Sequence, residues 1–111
     1  MLKGGECLYQ VTDFTEINIL EHIAITKHAK DRLVERGIKV DDISQCINTG
    51  EIIKQYEDDK PLPSCLILGK SMDDNYMHIV VSRNEDYIYL ITAYYPDSSQ
   101  WEADLKTRKE R

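Results

Sequence analysis

Residues 26–50 read TKHAKDRLVERGIKVDDISQCINTG, and how this stretch is read decides the fold. Thr26 is a good N-cap, because its hydroxyl can accept one of the N–H groups that a helix start leaves without a partner. Ala29 and Leu33 lie four apart and form the apolar side of a helix over residues 27–36. Gly37 then stops it: glycine adopts the left-handed conformation without strain, and Ile38 just beyond can pack back on Leu33. Val40, Ile43, Cys46 and Ile47 share one face of a further helix over residues 40–49. Asp41 and Asp42 suit the positive end of its dipole, and Gly50 is expected to end it as Gly37 ends the first. Two helices around a tight turn also make a DNA-reading motif. Here the second helix is acidic and a major groove would repel it, which makes DNA an unsuitable partner.

After Gly50 the texture changes. Residues 51–56 (EIIKQY), 64–70 (SCLILGK), 77–83 (MHIVVSR) and 87–95 (YIYLITAYY) are rich in β-branched and aromatic side chains and are separated by polar turn clusters. Such short connections favour antiparallel neighbours. Upstream, Phe14, Ile17 and Leu20 recur at helical spacing, and Asp13 with Glu16 makes a capping pair, which predicts a helix over about residues 13–22. Downstream, Asp97 is a good N-cap, and Trp101, Leu105 and Arg108 follow at i, i+4 and i+7, which predicts a closing helix. The expectation is one α+β domain over residues 1–111, in which residues 1–22 are an N-terminal extension. Its helices pack on a four-stranded antiparallel sheet, and a C-terminal helix follows.

Composition narrows the partners. The chain has 111 residues, 41% hydrophobic and 31% charged, and a net charge of -6. No apolar run approaches the roughly 18 residues that span a bilayer, and the start lacks the apolar core of a secretory signal, so a cytoplasmic protein without membrane contact is expected. Cys7, Cys46 and Cys65 form no CxxC pair and offer no zinc motif. The three histidines have no ligand spacing, and the EDDK cluster at residues 57–60 reads as a solvated turn, so neither metal nor cofactor is expected. Charge is segregated along the chain. Residues 27–39 hold five basic side chains against two acidic, and residues 106–111 hold four against one. If the two islands meet, they form one cationic patch on an acidic body, suited to an anionic substrate or an acidic partner. Two separately solvated helix faces are the alternative.

Several linked motifs carry a resemblance: HAKDRLVERGI, INTGEIIKQYEDDKPLPSCLILGK, MHIVV and ITAYYPDSSQWEADLKTR. Together they resemble, over about residues 23–108, a bacterial family of uncharacterised small domains placed in the RelE/ParE-like toxin superfamily. The resemblance implies helices packed on a curved antiparallel sheet. It also implies a toxin component of a toxin-antitoxin system, partnered by a small zinc-finger antitoxin-like protein. Lys39 stands where that family often has Ser or Thr, and Ser98 where it usually has Pro.

Toxins of this superfamily that act as ribonucleases cut RNA through its own 2′-hydroxyl. A metal-independent endoribonuclease of this kind needs a base, an acid and cations over the phosphate. Histidine is the natural acid or base, and arginine binds two phosphate oxygens at once. His28, Arg32 and Arg36 succeed one another four residues apart along one helix side. His78 opens the third of the four strands, Tyr94 and Tyr95 end the last, and Arg108 lies near the C-terminus. The acid–base candidates are His28, His78 and Tyr95, and the phosphate-binding candidates are Arg32, Arg36 and Arg108. A structural role stands beside each: His28 bonding the backbone, His78 a satisfied core histidine, the arginines in surface ion pairs, Trp101 a core anchor. A non-catalytic protein-binding module with a toxin-like fold is the alternative function.

Overall fold

Three residues, Ile23–Ile25, change the architecture that the sequence suggests. In the computed structural model, which describes residues 9–109, they form a strand, β1, paired in parallel with the last strand of the sheet. The remaining strands are β2 (Glu51–Tyr56), β3 (Ser64–Lys70), β4 (Tyr76–Arg83) and β5 (Ile88–Tyr94). Their order is β1-β5-β4-β3-β2, and all pairs but the first are antiparallel. The expected four-stranded antiparallel sheet is therefore corrected to a five-stranded mixed one. Short connections specify only antiparallel neighbours. A parallel pair needs a long crossover, and a three-residue strand carries no periodicity of its own.

The expected first helix is also shorter. Only Thr12–Thr15 is α-helical (α1), followed by a single 3₁₀ turn over Leu20–His22. This segment packs on the body through fully buried Phe14. Arg83 fastens it further, donating from Nη1 to the Asp13 carbonyl and to Glu16 Oε2 at 2.6 Å. Tyr9 joins in: its backbone exchanges two hydrogen bonds with the Gln55 side chain, and its hydroxyl donates to the Pro63 carbonyl. Cys7 lies outside the described residues.

The two central helices form as their caps dictate. In α2 (Lys27–Arg36) the Thr26 hydroxyl accepts from the Ala29 N–H at 3.1 Å. Gly37 sits at φ +69°, and the Ile38 N–H reaches back to the Leu33 carbonyl at 2.9 Å. In α3 (Val40–Thr49) Lys39 supplies no side-chain cap, and Asp42 takes over by accepting from the Lys39 N–H at 2.9 Å. Gly50 does not end α3 as Gly37 ends α2. Its backbone is extended, and glycine is needed there because a Cβ would stand 2.5 Å from both the Cys46 carbonyl oxygen and the Ile67 side chain. Gly69 is held to glycine in the same way by the Cys46 backbone. Helix α3 thus lies almost in backbone contact with β3.

Alternation along the strands gives the sheet two unlike faces. Cys65, Ile67, Met77, Ile79, Val81, Ile88, Leu90 and Ala93 meet the helices and make the main core. Leu66, Leu68, His78, Val80 and Tyr94 point to the far face. The chain beyond Tyr94 covers part of that face, and not as the expected C-terminal helix. Asp97 starts one turn, and the chain then folds into an irregular loop closed by a bridge between Trp101 and Arg108. The Asp104 carboxylate accepts from the Lys106 and Thr107 N–H groups, and Leu105 takes φ +60°. Asp side chains that bond nearby backbone compete with helix, and here they win.

Candidate functional site

The far-face loop converges on His78. The ring is fully buried, edge-on to Trp101 at 4.5 Å and to Tyr94 at 5.3 Å between centroids. Nε2 lies 2.7 Å from the Leu105 carbonyl oxygen, which can only accept, so Nε2 carries the proton. Nδ1 is then a bare acceptor, 3.3 Å from the Tyr94 hydroxyl. Burial holds the His78 pKa below the ordinary histidine value, opposed only by the Leu105 hydrogen bond, and the ring is neutral. The left-handed turn at Leu105 aims that carbonyl at the ring.

Tyr94 is the hub of the corner. Burial raises the pKa of its hydroxyl, Tyr56 raises it further, and the positive charges of Arg108 and Arg36 pull it down. Tyr56 answers to a similar environment, raised by burial and by Asp59 and lowered by Arg108. Arg108 is exposed, stacks over the Trp101 ring at 5.6 Å, and bonds Gln100. Arg36 arrives from the other side of the sheet edge. Beyond the end of β1 the outer edge of β5 is open, and Arg36 Nη1 donates there to the Ala93 carbonyl at 2.7 Å.

The six residues singled out in the sequence thus divide. His78 bonds the Tyr94 hydroxyl, Arg36 bonds the carbonyl of Ala93 beside it, and Arg108 lies over the Trp101 ring that packs on His78. His28 and Arg32 do not join them. The rise of a helix puts His28 about 12 Å along the axis from Arg36. It is exposed in the first turn, and Arg32 is spent on an exposed pair with Glu35 at 3.2 Å. Tyr95 follows β5, is 39% exposed and forms no hydrogen bond to the cluster. Tyr94 is the tyrosine of this strand end that bonds His78. The signal that selects it is the register His78↔Tyr94, which a β-bulge between Val80 and Val81 shifts out of simple alternation. Tyr56 gave no signal in the sequence, because its role comes from the pairing of β2 with β3.

The corner has two arginine cations, two phenols and one buried neutral imidazole whose Nδ1 lone pair faces the Tyr94 hydroxyl. It can hold an anion and pass a proton between that anion and Nδ1 through the Tyr94 hydroxyl. Among the described residues no three His, Cys, Asp or Glu side chains gather as a metal site. No helix of the described residues is long and apolar enough to cross a membrane.

Comparison with curated proteins and with solved structures gives no match. A family model does match, over residues 25–95, from the last residue of β1 to the residue after β5, and its description is a domain of unknown function, DUF4258. A family of small uncharacterised domains is what the linked motifs suggest, and on a match over more than half of its length the chain belongs to the DUF4258 family.

Proposed function

We propose that this domain is a toxin of the RelE/ParE-like kind that holds the phosphodiester backbone of RNA at the Tyr94 corner and cleaves it without metal. One observation carries the reading. The Tyr94 hydroxyl is bonded to the bare nitrogen of a buried histidine, while Arg36 bonds the carbonyl of adjacent Ala93 and Arg108 lies over the Trp101 ring that packs on that histidine. Arg36 and Arg108 hold the phosphate, and their charge favours the extra negative charge of the pentacoordinate state. The RNA 2′-hydroxyl gives its proton to the Tyr94 oxygen as Tyr94 gives its own to His78 Nδ1. The 2′-oxygen bonds to phosphorus and the 5′-oxygen leaves. The proton returns from His78 through Tyr94 to that leaving oxygen, so the products are a 2′,3′-cyclic phosphate and a 5′-hydroxyl. An acidic body confines RNA to this corner, and a small zinc-finger antitoxin is the partner that this reading expects to copurify with the chain.

The second reading is a non-catalytic protein-binding module. Its support is that His78 has no exposed surface and both its nitrogens are already bonded. The test uses a single-stranded RNA oligonucleotide and its 2′-deoxy counterpart, in the presence of a chelator. The wild type is expected to bind both and cut only the RNA, leaving cyclic phosphate ends. Tyr94→Phe is expected to bind without cutting, and Arg36→Ala/Arg108→Ala to lose binding. Intact RNA with the wild type overturns the ribonuclease and favours the module.

A further inference from the structure

The sheet has one open edge that the Tyr94 corner does not use. β1 is an outermost strand, paired on one side with β5 and on the other with nothing among the described residues. Beside it lies a groove of about 470 Å³, floored by Ile23, Ile25, Leu33 and Ile38. Val34 forms its outer wall and is 74% exposed, an unusual position for an apolar side chain on a helix whose buried side is already filled by Ala29 and Leu33. Lys30 and Lys39 stand on its rim. Neither makes an ion pair among the described residues, whereas neighbouring Lys27 and Arg32 do.

An uncovered edge presents unpaired N–H and C=O groups that another chain can extend, and natural sheets generally blunt or cover such edges. β1 is short, which limits the pairing it offers, but it carries no proline and no charge to block it. We propose that β1 is a docking edge for an extended segment of a partner protein that carries apolar residues flanked by acidic ones on one side of its strand. The segment adds a sixth strand beside Ile23–Ile25, and its main chain pairs with the free edge. On the side of that strand facing α2, the central side chains are apolar and enter the groove against Val34 and Ile38, and acidic ones toward its ends meet Lys30 and Lys39. Charge selects the partner: this rim belongs to the basic island of residues 27–39, while the chain as a whole is at -6 and repels acidic surfaces elsewhere. The proposal is independent of the RNA reading, since it uses none of the residues around Tyr94.

The probe is a nine-residue peptide with glutamate at positions 1 and 9, valine at 3, 5 and 7 and threonine at the even positions, compared with a counterpart carrying lysine for glutamate and with a copy N-methylated at alternate residues. Binding is read by fluorescence anisotropy, and its place by amide chemical shifts. The acidic peptide is expected to bind at least about tenfold tighter than the basic one, with the largest shifts at residues 23–25. The N-methylated copy is expected to fail, because it cannot pair along the strand. Lys30→Glu/Lys39→Glu and Val34→Asp, both at exposed or rim positions, should each keep the wild-type melting temperature and lose about tenfold or more in affinity. Equal binding of acidic and basic peptides, shifts that miss residues 23–25, or no binding at millimolar peptide overturns the proposal. So does self-association of the wild type through the same amides, which would make a second copy the occupant.

Discussion

The two faces of the sheet are covered by different means. The helix face is closed by α2 and α3, whose apolar stripes are periodic, and apart from Phe14 its lining is aliphatic and sulfur-bearing. The far face is closed in part by an irregular loop, and beside buried Leu66 and Leu68 it holds a buried histidine, a buried tryptophan and a half-buried tyrosine joined by hydrogen bonds and ring edges. Regular elements bury area, while irregular ones place individual polar atoms. The carbonyl of Leu105 reaches Nε2 of His78 because that backbone is not committed to a helix, and the candidate site lies on the face where such freedom exists.

Thiol chemistry sets the helix face apart most sharply. Cys46 and Cys65 both line it, and burial pushes both thiols up to about 12. In a Cys7→Ser protein at pH 8, labelling of these two should be slower than that of a free thiol by roughly three orders of magnitude, and fast only after unfolding. Rapid labelling of either in the native protein would show that this face opens as readily as the other.

Deletions come next in size. Ile79→Ala on the helix face should cost about 4 kcal/mol in a single cooperative transition. Trp101→Ala on the far face should cost about 2 kcal/mol, because the loop that carries it can close partly over the gap. Its amide exchange should also rise from residue 97 onward while β3 stays protected. Equal costs, or exchange spread through the whole sheet, would erase the distinction between the faces.

The smallest effect is set by pH. His78 is held neutral, so the unfolded chain takes up its proton more easily than the folded one. The stability from this group is fully present above the ordinary histidine pKa of about 6.5 and is lost as pH falls below that toward the depressed native value. Denaturant midpoints should therefore drop more between pH 7 and pH 5 in the wild type than in His78→Gln. Parallel profiles would mean that the far face does not shield the ring.

Legibility in the sequence follows the same division. Thr26, Leu33, Gly37 and Ile38 mark α2 to the residue, and the strands expected at 51–56, 64–70, 77–83 and 87–95 form at Glu51–Tyr56, Ser64–Lys70, Tyr76–Arg83 and Ile88–Tyr94. These elements are written in local periodicity and turn chemistry. β1 is not, because its pairing with Ile88–Leu90 is a contact between distant segments. The loop of residues 97–109 is not either: Trp101, Leu105 and Arg108 have helical spacing, but the Asp97 and Asp104 side chains take the backbone bonds that a helix would need. Of the site, residue types were legible and companionship was not. Arg36 and Arg108 could be named as cations, but only the open edge of β5 and the turn at Leu105 bring them to Tyr94.

The pairing of Ile23 with Ile88 also sets an order of events at the ribosome. The strand made first waits for the strand made last, with α2, α3 and three other strands synthesised in between. Until β5 emerges, Ile23, Leu33 and Ile38 have no completed sheet to cover them, and closing so long a loop is slow compared with making the hairpins inside it. The nascent chain therefore carries this apolar flank uncovered until β5 emerges, and a chain stalled before residue 88 has the β1 edge open on both sides.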